Sequence, residues 1–322
     1  MQVHPDIAAL RSDRAPQRQA QAAMLRARDA WAAEPGASEM QAELEAYGRG
    51  ASLEDCPVLE SVFTETGETE RLIGLMSAHY CRAIGENPIG HPPFRNGFDG
   101  TSTSLLLAQS GRAQLMLQAR EPGRTDNPSH VFSDATRFDA VLAGEAEARI
   151  VRIVDHAGDA ASFSEERLSL RPGHRLAFDL GSEALAIDRV EGRFVVLRLM
   201  RASADPRPGR EYDAATGRLL QQSAGKIATS RQEAIIALLG RMGRDDAAPH
   251  IAAVALKEGD TSLRWQALRE ALALDTATGF LALGRVARRS DDPLSAPAGA
   301  LRAQLLETYP QLAQVEADRC PA

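Results

Sequence analysis

The chain has 322 residues, 44% apolar and 25% charged, with a formal net charge of −7 and a pI near 5.6. That length divides into two or three folding units, each able to bury its own core. The acidic balance argues against a sequence-independent nucleic-acid binder, which needs a basic surface, and no apolar run approaches the ~18 residues of a membrane span.

Aromatic residues make up only 5% of the chain, so much of the core should be aliphatic and helical. Cys56, Cys81 and Cys320 are odd in number and far apart, with no CxxC pair, which points to a reducing cytoplasm. The N-terminus lacks the apolar stretch of a secretory signal. Charge is uneven. Arg11, Arg14, Arg18, Arg26 and Arg28 face one acid, Asp13, whereas the following stretch to Glu70 is strongly acidic. Paired or solvated helix faces account for both segments.

Residues 1–88 read as helical, with Ile7, Leu10, Met24, Leu25 and Trp31 among alanines and a stop at Pro35-Gly36. A short helix is expected from Ser38 to Tyr47. A longer one over Thr66–Glu86 carries its apolar period at Leu72, Leu75, Met76 and Ala83 and closes at Asn87-Pro88. His79 and Cys81 lie two apart on that helix and point in different directions, as a packed His and a buried thiol rather than a metal pair.

From residue 89 the pattern turns to short β runs. They are Ser104–Ala108, Ala113–Ala119, Ala140–Leu142, Ala146–Val154, Arg167–Leu170, Leu176–Leu180, Ala184–Ile187 and Arg193–Met200, with a tight turn at Glu191-Gly192. About eight such strands imply a sandwich or small barrel. Residues 204–226, rich in Pro and Gly, read as a linker. In residues 227–322 a helical pair recurs. Arg231-x-x-Ala234-Ile235 aligns with Arg264-x-x-Ala267-Leu268 and then Ala300-Leu301, while Leu239, Leu272 and Leu305 share one register. That recurrence is the signature of a solenoid and resembles HEAT repeats. The expected fold is α+β and multidomain: helices over 1–88, a β-barrel or jelly roll over 89–203, a linker and the helical repeats.

Arg124-(x5)-His130-x-Phe132-(x4)-Arg137-(x6)-Gly144, followed by Arg171-Pro172-Gly173-His174-Arg175-Leu176, resembles the paired motifs of cupins. The resemblance implies a double-stranded β-helix over about a third of the chain and a tendency to pair as homodimers. The ligand positions hold Phe132, Arg137 and Leu176, and a fixed guanidinium repels a divalent cation, so no metal or other cofactor is expected. If His130 and Phe132 face inward with His174, Leu176 and Phe178, the interior offers imidazoles, aromatic rings and the Arg137 guanidinium to a small carboxylate or other anion. A competing reading plugs the interior, with Arg137 paired to Asp134, Asp139 or another acid.

The main expectation is a non-enzymatic, cytoplasmic, regulatory or scaffolding protein. Its barrel would bind a small ligand or dimerise, and its repeats would bind a protein partner. The alternatives are a cupin-type metal-dependent dioxygenase or isomerase using His91, His130 and His174, and a sensor whose barrel ligand reorients the repeats. There is no nucleophile elbow, Walker loop or dinucleotide glycine pattern, and His91 with Asp99 reads equally as an acid–base pair or as a polar loop.

Overall fold

The computed structural model describes residue 5 and residues 13–317; Ile7, Leu10, Arg11 and Cys320, named above, lie outside them. The first helix among the described residues, α1 (Ala15–Ala32), has Pro16 in its first turn, where a missing N–H costs nothing. Its buried stripe, Ala20, Ala23, Met24, Ala27 and Trp31, has helical spacing, and the Trp31 indole donates to the Leu72 carbonyl at 3.1 Å. Next come α2 (Ala37–Arg49), α3 (Pro57–Thr64) and α4 (Glu68–Glu86). The Glu70 carboxylate accepts the Gly67 N–H at the start of α4, and the helix ends at Asn87, just ahead of Pro88.

Eleven strands follow: β1 (Arg95–Phe98), β2 (Ser102–Ser110), β3 (Ala113–Arg120), β4 (Gly123–Arg124), β5 (Ser129–Phe132), β6 (Ala135–Ala157), β7 (Ala160–Leu170), β8 (Arg175–Asp179), β9 (Glu183–Ala202), β10 (Gly209–Asp213) and β11 (Leu219–Ser223). Eight of them form one antiparallel sheet along β1-β2-β3-β9-β6-β7, with β4 on β9 and β8 on β6. The path ends at β1 and β7, so the expected barrel is not closed. A second sheet runs β11-β10-β5.

The strands β6 and β9 pair from Ala135↔Ala202 to Arg152↔Glu183. The register slips around Ala143 and Glu145, where Gly144 has φ 75° and a Cβ would lie 2.4 Å from the Arg193 carbonyl oxygen. This bulge bends both strands without ending them. The expected separate strands therefore merge, and Glu191-Gly192 is an irregularity inside β9 rather than a turn between strands.

Alternation sorts the sheet into two faces. Ala113, Leu115, Ala140, Leu197 and Leu199 are buried against Tyr47, Leu59, Phe63, Leu72 and Met76 of the helices. A Cβ on Gly48 would fall 2.0 Å from the Ser110 oxygen, so α2 requires glycine at this approach to the β2–β3 turn. Arg201 lies 3.8 Å from the Tyr47 ring centroid and donates to the Tyr47 and Ala51 carbonyls. The helices and the larger sheet thus share one core. Residues through Gln222 form one unit, which corrects the separate helical region expected for 1–88.

The expected linker is also corrected. Within 204–226, β10 pairs with β5 at Tyr212↔His130, and Tyr212 is 2% exposed. Its pairing partner is remote in sequence, so local Pro and Gly content conceals the strand.

The second unit starts at Ser223. Its helices are α5 (Ile227–Arg241), a 3-10 turn (Asp245–Ala247), α6 (Ala248–Ala255), α7 (Thr261–Leu274), α8 (Thr276–Ala287), α9 (Ser295–Thr308) and α10 (Leu312–Ala317). Asp260 and Asp275 cap α7 and α8 by accepting backbone N–H groups. Ile251, Ala267, Leu268, Phe280 and Leu283 form the core, with Leu239, Leu272 and Leu305 packed against it. The repeat is not uniform: Arg231 is exposed, whereas Arg264 is buried and paired with Asp292.

Leu199→Ala removes a fully buried side chain from the shared core of the first unit. Calorimetry is expected to show two unfolding transitions, with this variant destabilising one of them by about 2–5 kcal/mol and leaving the other in place. A common downward shift of both would contradict the division.

Candidate functional site

On the sheet face opposite the helices, inward positions of four strands bring charge into an apolar setting. Asp139 on β6 stands directly across from Arg198 on β9, and the pair forms two parallel bonds, Nε–Oδ1 at 2.8 Å and Nη2–Oδ2 at 2.9 Å. Two residues back on β6, Arg137 reaches Asp139 Oδ2 at 3.1 Å. This contact lacks hydrogen-bond geometry, and Arg137 Nε and Nη2 are buried with no hydrogen-bond partner. The Arg137 guanidinium lies 4.4 Å from the ring centroid of Phe178, its cross-strand neighbour on β8. Arg120, at the end of β3, lines the same cavity and forms no side-chain hydrogen bond or ion pair among the described residues.

The electrostatics follow from that geometry. Burial would raise the Asp139 carboxyl, but Arg198 and Arg137 outweigh it and hold the group below the usual range. Burial pulls Arg137 down to about 10, with Asp139 offsetting part of the shift and Arg198 and Arg120 adding to it. Burial also lowers Arg120. Arg198 is desolvated too, yet its bonds to Asp139 carry it upward.

These groups line a cavity of about 70 Å³. Gln118, Arg120, Arg137, Asp139 and Arg198 supply its polar lining, and Val141, Leu170, Leu176, Leu185, Ile187 and Phe194 supply apolar walls. A larger cleft of about 860 Å³ lies along Arg124, Asn127, Arg149, Glu165 and Asp188. Its central cation, Arg149, is already matched by Asp188 at 2.8 Å and Glu165 at 2.6 Å. The smaller cavity holds the unmatched charge.

The six residues expected to share one interior are divided. Arg137, Leu176 and Phe178 come together on facing strands. His130 and Phe132 are buried in a separate aromatic cluster, where Phe132 stacks on Phe163 at 5.9 Å and His130 meets the Phe163 ring edge-on at 5.2 Å. Their partner strand is β10, not β8. His174 is exposed in the turn before β8, so its side chain does not share the inward face of Leu176. His91 is also exposed, and the metal set of His91, His130 and His174 does not converge. Among the described residues no group of three or more His, Cys, Asp or Glu side chains could hold a metal ion. Asp134 bonds Ser203 and Arg207 instead of Arg137. Arg120 and Arg198 were missed as site residues. Their signal is an arginine at an inward position of an apolar strand, as in Leu197-Arg198-Leu199.

No family model matches the chain, and no curated protein matches it. Similar solved structures include a 7S globulin from Momordica charantia (15% identity, 38% of this chain and 36% of that one, TM-score 0.29). An ectoine synthase from P. lautus aligns at 14% identity over 33% of this chain and 67% of its own, TM-score 0.24. A cupin superfamily protein from Desulfitobacterium hafniense aligns at 20% identity over 33% and 83%, TM-score 0.23. The chain spans about a third of the length of the globulin.

Burial lowers the His130 pKa from its ordinary 6.5, with Glu165 opposing and Arg149 adding to the shift, and Nε2 has no hydrogen-bond partner. A depressed folded-state pKa means that the unfolded chain takes up the proton first, so stability is full above pH 6.5 and declines as the pH falls below it. In urea titrations at pH 7.5 and 5.0, His130→Phe is expected to lose less stability on acidification than the unsubstituted chain. Equal losses would contradict a buried neutral imidazole.

Proposed function

We propose that the first unit is a cupin-like, non-catalytic binding module whose sheet cavity takes a small carboxylate. The observation that carries this reading is the surplus of buried cationic donors. Arg198 is matched by two hydrogen bonds to Asp139, while Arg137 Nε and Nη2 make no hydrogen bond and Arg120 makes no side-chain hydrogen bond or ion pair among the described residues. Leaving a buried charge uncompensated is costly, and a bound carboxylate offsets that cost through charge-assisted bonds.

The second unit, read as HEAT-like, serves as a protein-interaction module, and pairing of the first unit gives a homodimer. Together they make a regulatory or scaffolding protein of the cytoplasm, where Cys56 and Cys81, both free, stay reduced. No described helix is long and apolar enough to cross a membrane.

The test is acetate titration of the full chain followed by its melting temperature. Acetate is expected to raise the melting temperature saturably, and Arg137→Met is expected to abolish the rise. Without ligand that variant should be as stable as the parent or more so, by about 1–3 kcal/mol, because Asp139 keeps Arg198. A folded parent that acetate does not stabilise would overturn the binding reading.

A further inference from the structure

The outer face of α5 in the second unit is apolar and uncovered. We infer that it pairs with the same face of a second copy of the chain in an antiparallel, two-fold arrangement. This surface is separate from the cavity described above, and the inference rests on the reading of the second unit as a protein-interaction module. Ile227, Ala234, Ile235, Leu238 and Met242 all face solvent, the four larger ones between 56% and 74% exposed. Intervals of three and four residues put them, with Arg231, on one side of the helix. The opposite side is apolar too. Ile236 is buried, Leu239 packs against the core, and the Glu233 carbonyl accepts the Gln266 side-chain N–H of α7. A helix apolar on both sides is a buried helix, and such a stripe on a surface marks an interface.

The charges on this face identify what covers it. Arg231 stands inside the apolar stripe, exposed, and forms no side-chain hydrogen bond or ion pair among the described residues. Asp245, in the 3-10 turn after α5, forms no ion pair among them either, whereas its neighbour Asp246 is held by Arg244 at 2.7 and 2.8 Å. Arg231 and Asp245 lie equally far in sequence from Leu238, one on each side. With a two-fold axis at Leu238, two antiparallel copies of α5 set Leu238 against Leu238 and Ala234 against Met242. The same axis brings Arg231 of each copy toward Asp245 of the other. Parallel pairing would instead oppose Arg231 to Arg231 inside the apolar seam, and like charges there are strongly unfavourable. The face is complementary to itself in the antiparallel orientation.

The experiment is sedimentation of the full chain over a range of concentrations, together with disulfide cross-linking. The parent is expected to associate reversibly. Leu238→Glu, at an exposed position, is expected to weaken association at least about tenfold, because each copy would bury a carboxylate against the other. Arg231→Asp should weaken it about tenfold, and adding Asp245→Arg should restore it to within about threefold of the parent. For cross-linking, Cys81, which is exposed rather than buried as expected, and Cys320 are replaced by Ser. In that background Leu238→Cys should give a disulfide-linked dimer, and Gln232→Cys, exposed off the stripe, should not. A dimer that survives Leu238→Glu, with no cross-link through Leu238→Cys, would overturn this interface and leave association to the first unit. Failure of Asp245→Arg to rescue Arg231→Asp would overturn the antiparallel register. A parent that stays monomeric throughout would overturn self-pairing, while leaving the second unit as a module for a different protein.

Discussion

The long antiparallel pairing of β6 with β9 is the constraint on which the first unit depends. Both strands continue through the bulge at Gly144 and Gly192, so one pair of strands supplies the centre of two differently directed parts of the sheet. Before the bend β6 also carries β8, and after it β6 carries β7, while β9 carries β3 and β4. A break in this pair would leave the other strands with unsatisfied backbone groups and the helices with no surface to cover. Gly144 is the point of least tolerance, because its positive φ and its closeness to the Arg193 carbonyl both exclude a side chain.

Period-two alternation along this pair gives each strand two jobs. Ala140, Leu197 and Leu199 hold the helices. Their immediate neighbours Asp139, Val141, Val196 and Arg198 line the cavity on the other face. Stability and binding chemistry are therefore interleaved residue by residue, and a one-residue slip of register would bury the charges under the helices and expose the aliphatic face.

The charge cluster is unequal by construction. A buried carboxylate held bidentately by one guanidinium is a stable unit, and the second and third guanidiniums are not needed to keep it so. Their burial costs stability in the free protein, seen in the downward pull on Arg137 and Arg120. By contrast, the buried Arg264–Asp292 pair of the second unit is closed on itself: Arg264 also donates to the Ala255 carbonyl, and Asp292 accepts the Leu294 N–H. The same residue types thus serve packing in one unit and leave donors over in the other.

The sequence by itself determined the α+β class, the order of helices, strands and helices, and most strand positions, because these follow from local periodicity and from turn residues. Alternation set Leu176 and Phe178 on one face of their strand, and the resemblance to the cupin motifs put Arg137 with them. Only the tertiary structure decided which strands meet. Pairing of β5 with β10 took His130 and Phe132 away from the cavity and turned an apparent linker into sheet, and pairing of β3 and β6 with β9 brought Arg120 and Arg198 to Arg137. The reason is physical: local patterns fix which way a side chain points along its own strand, while the partner across the sheet is chosen by hydrogen bonding and burial between segments far apart in sequence.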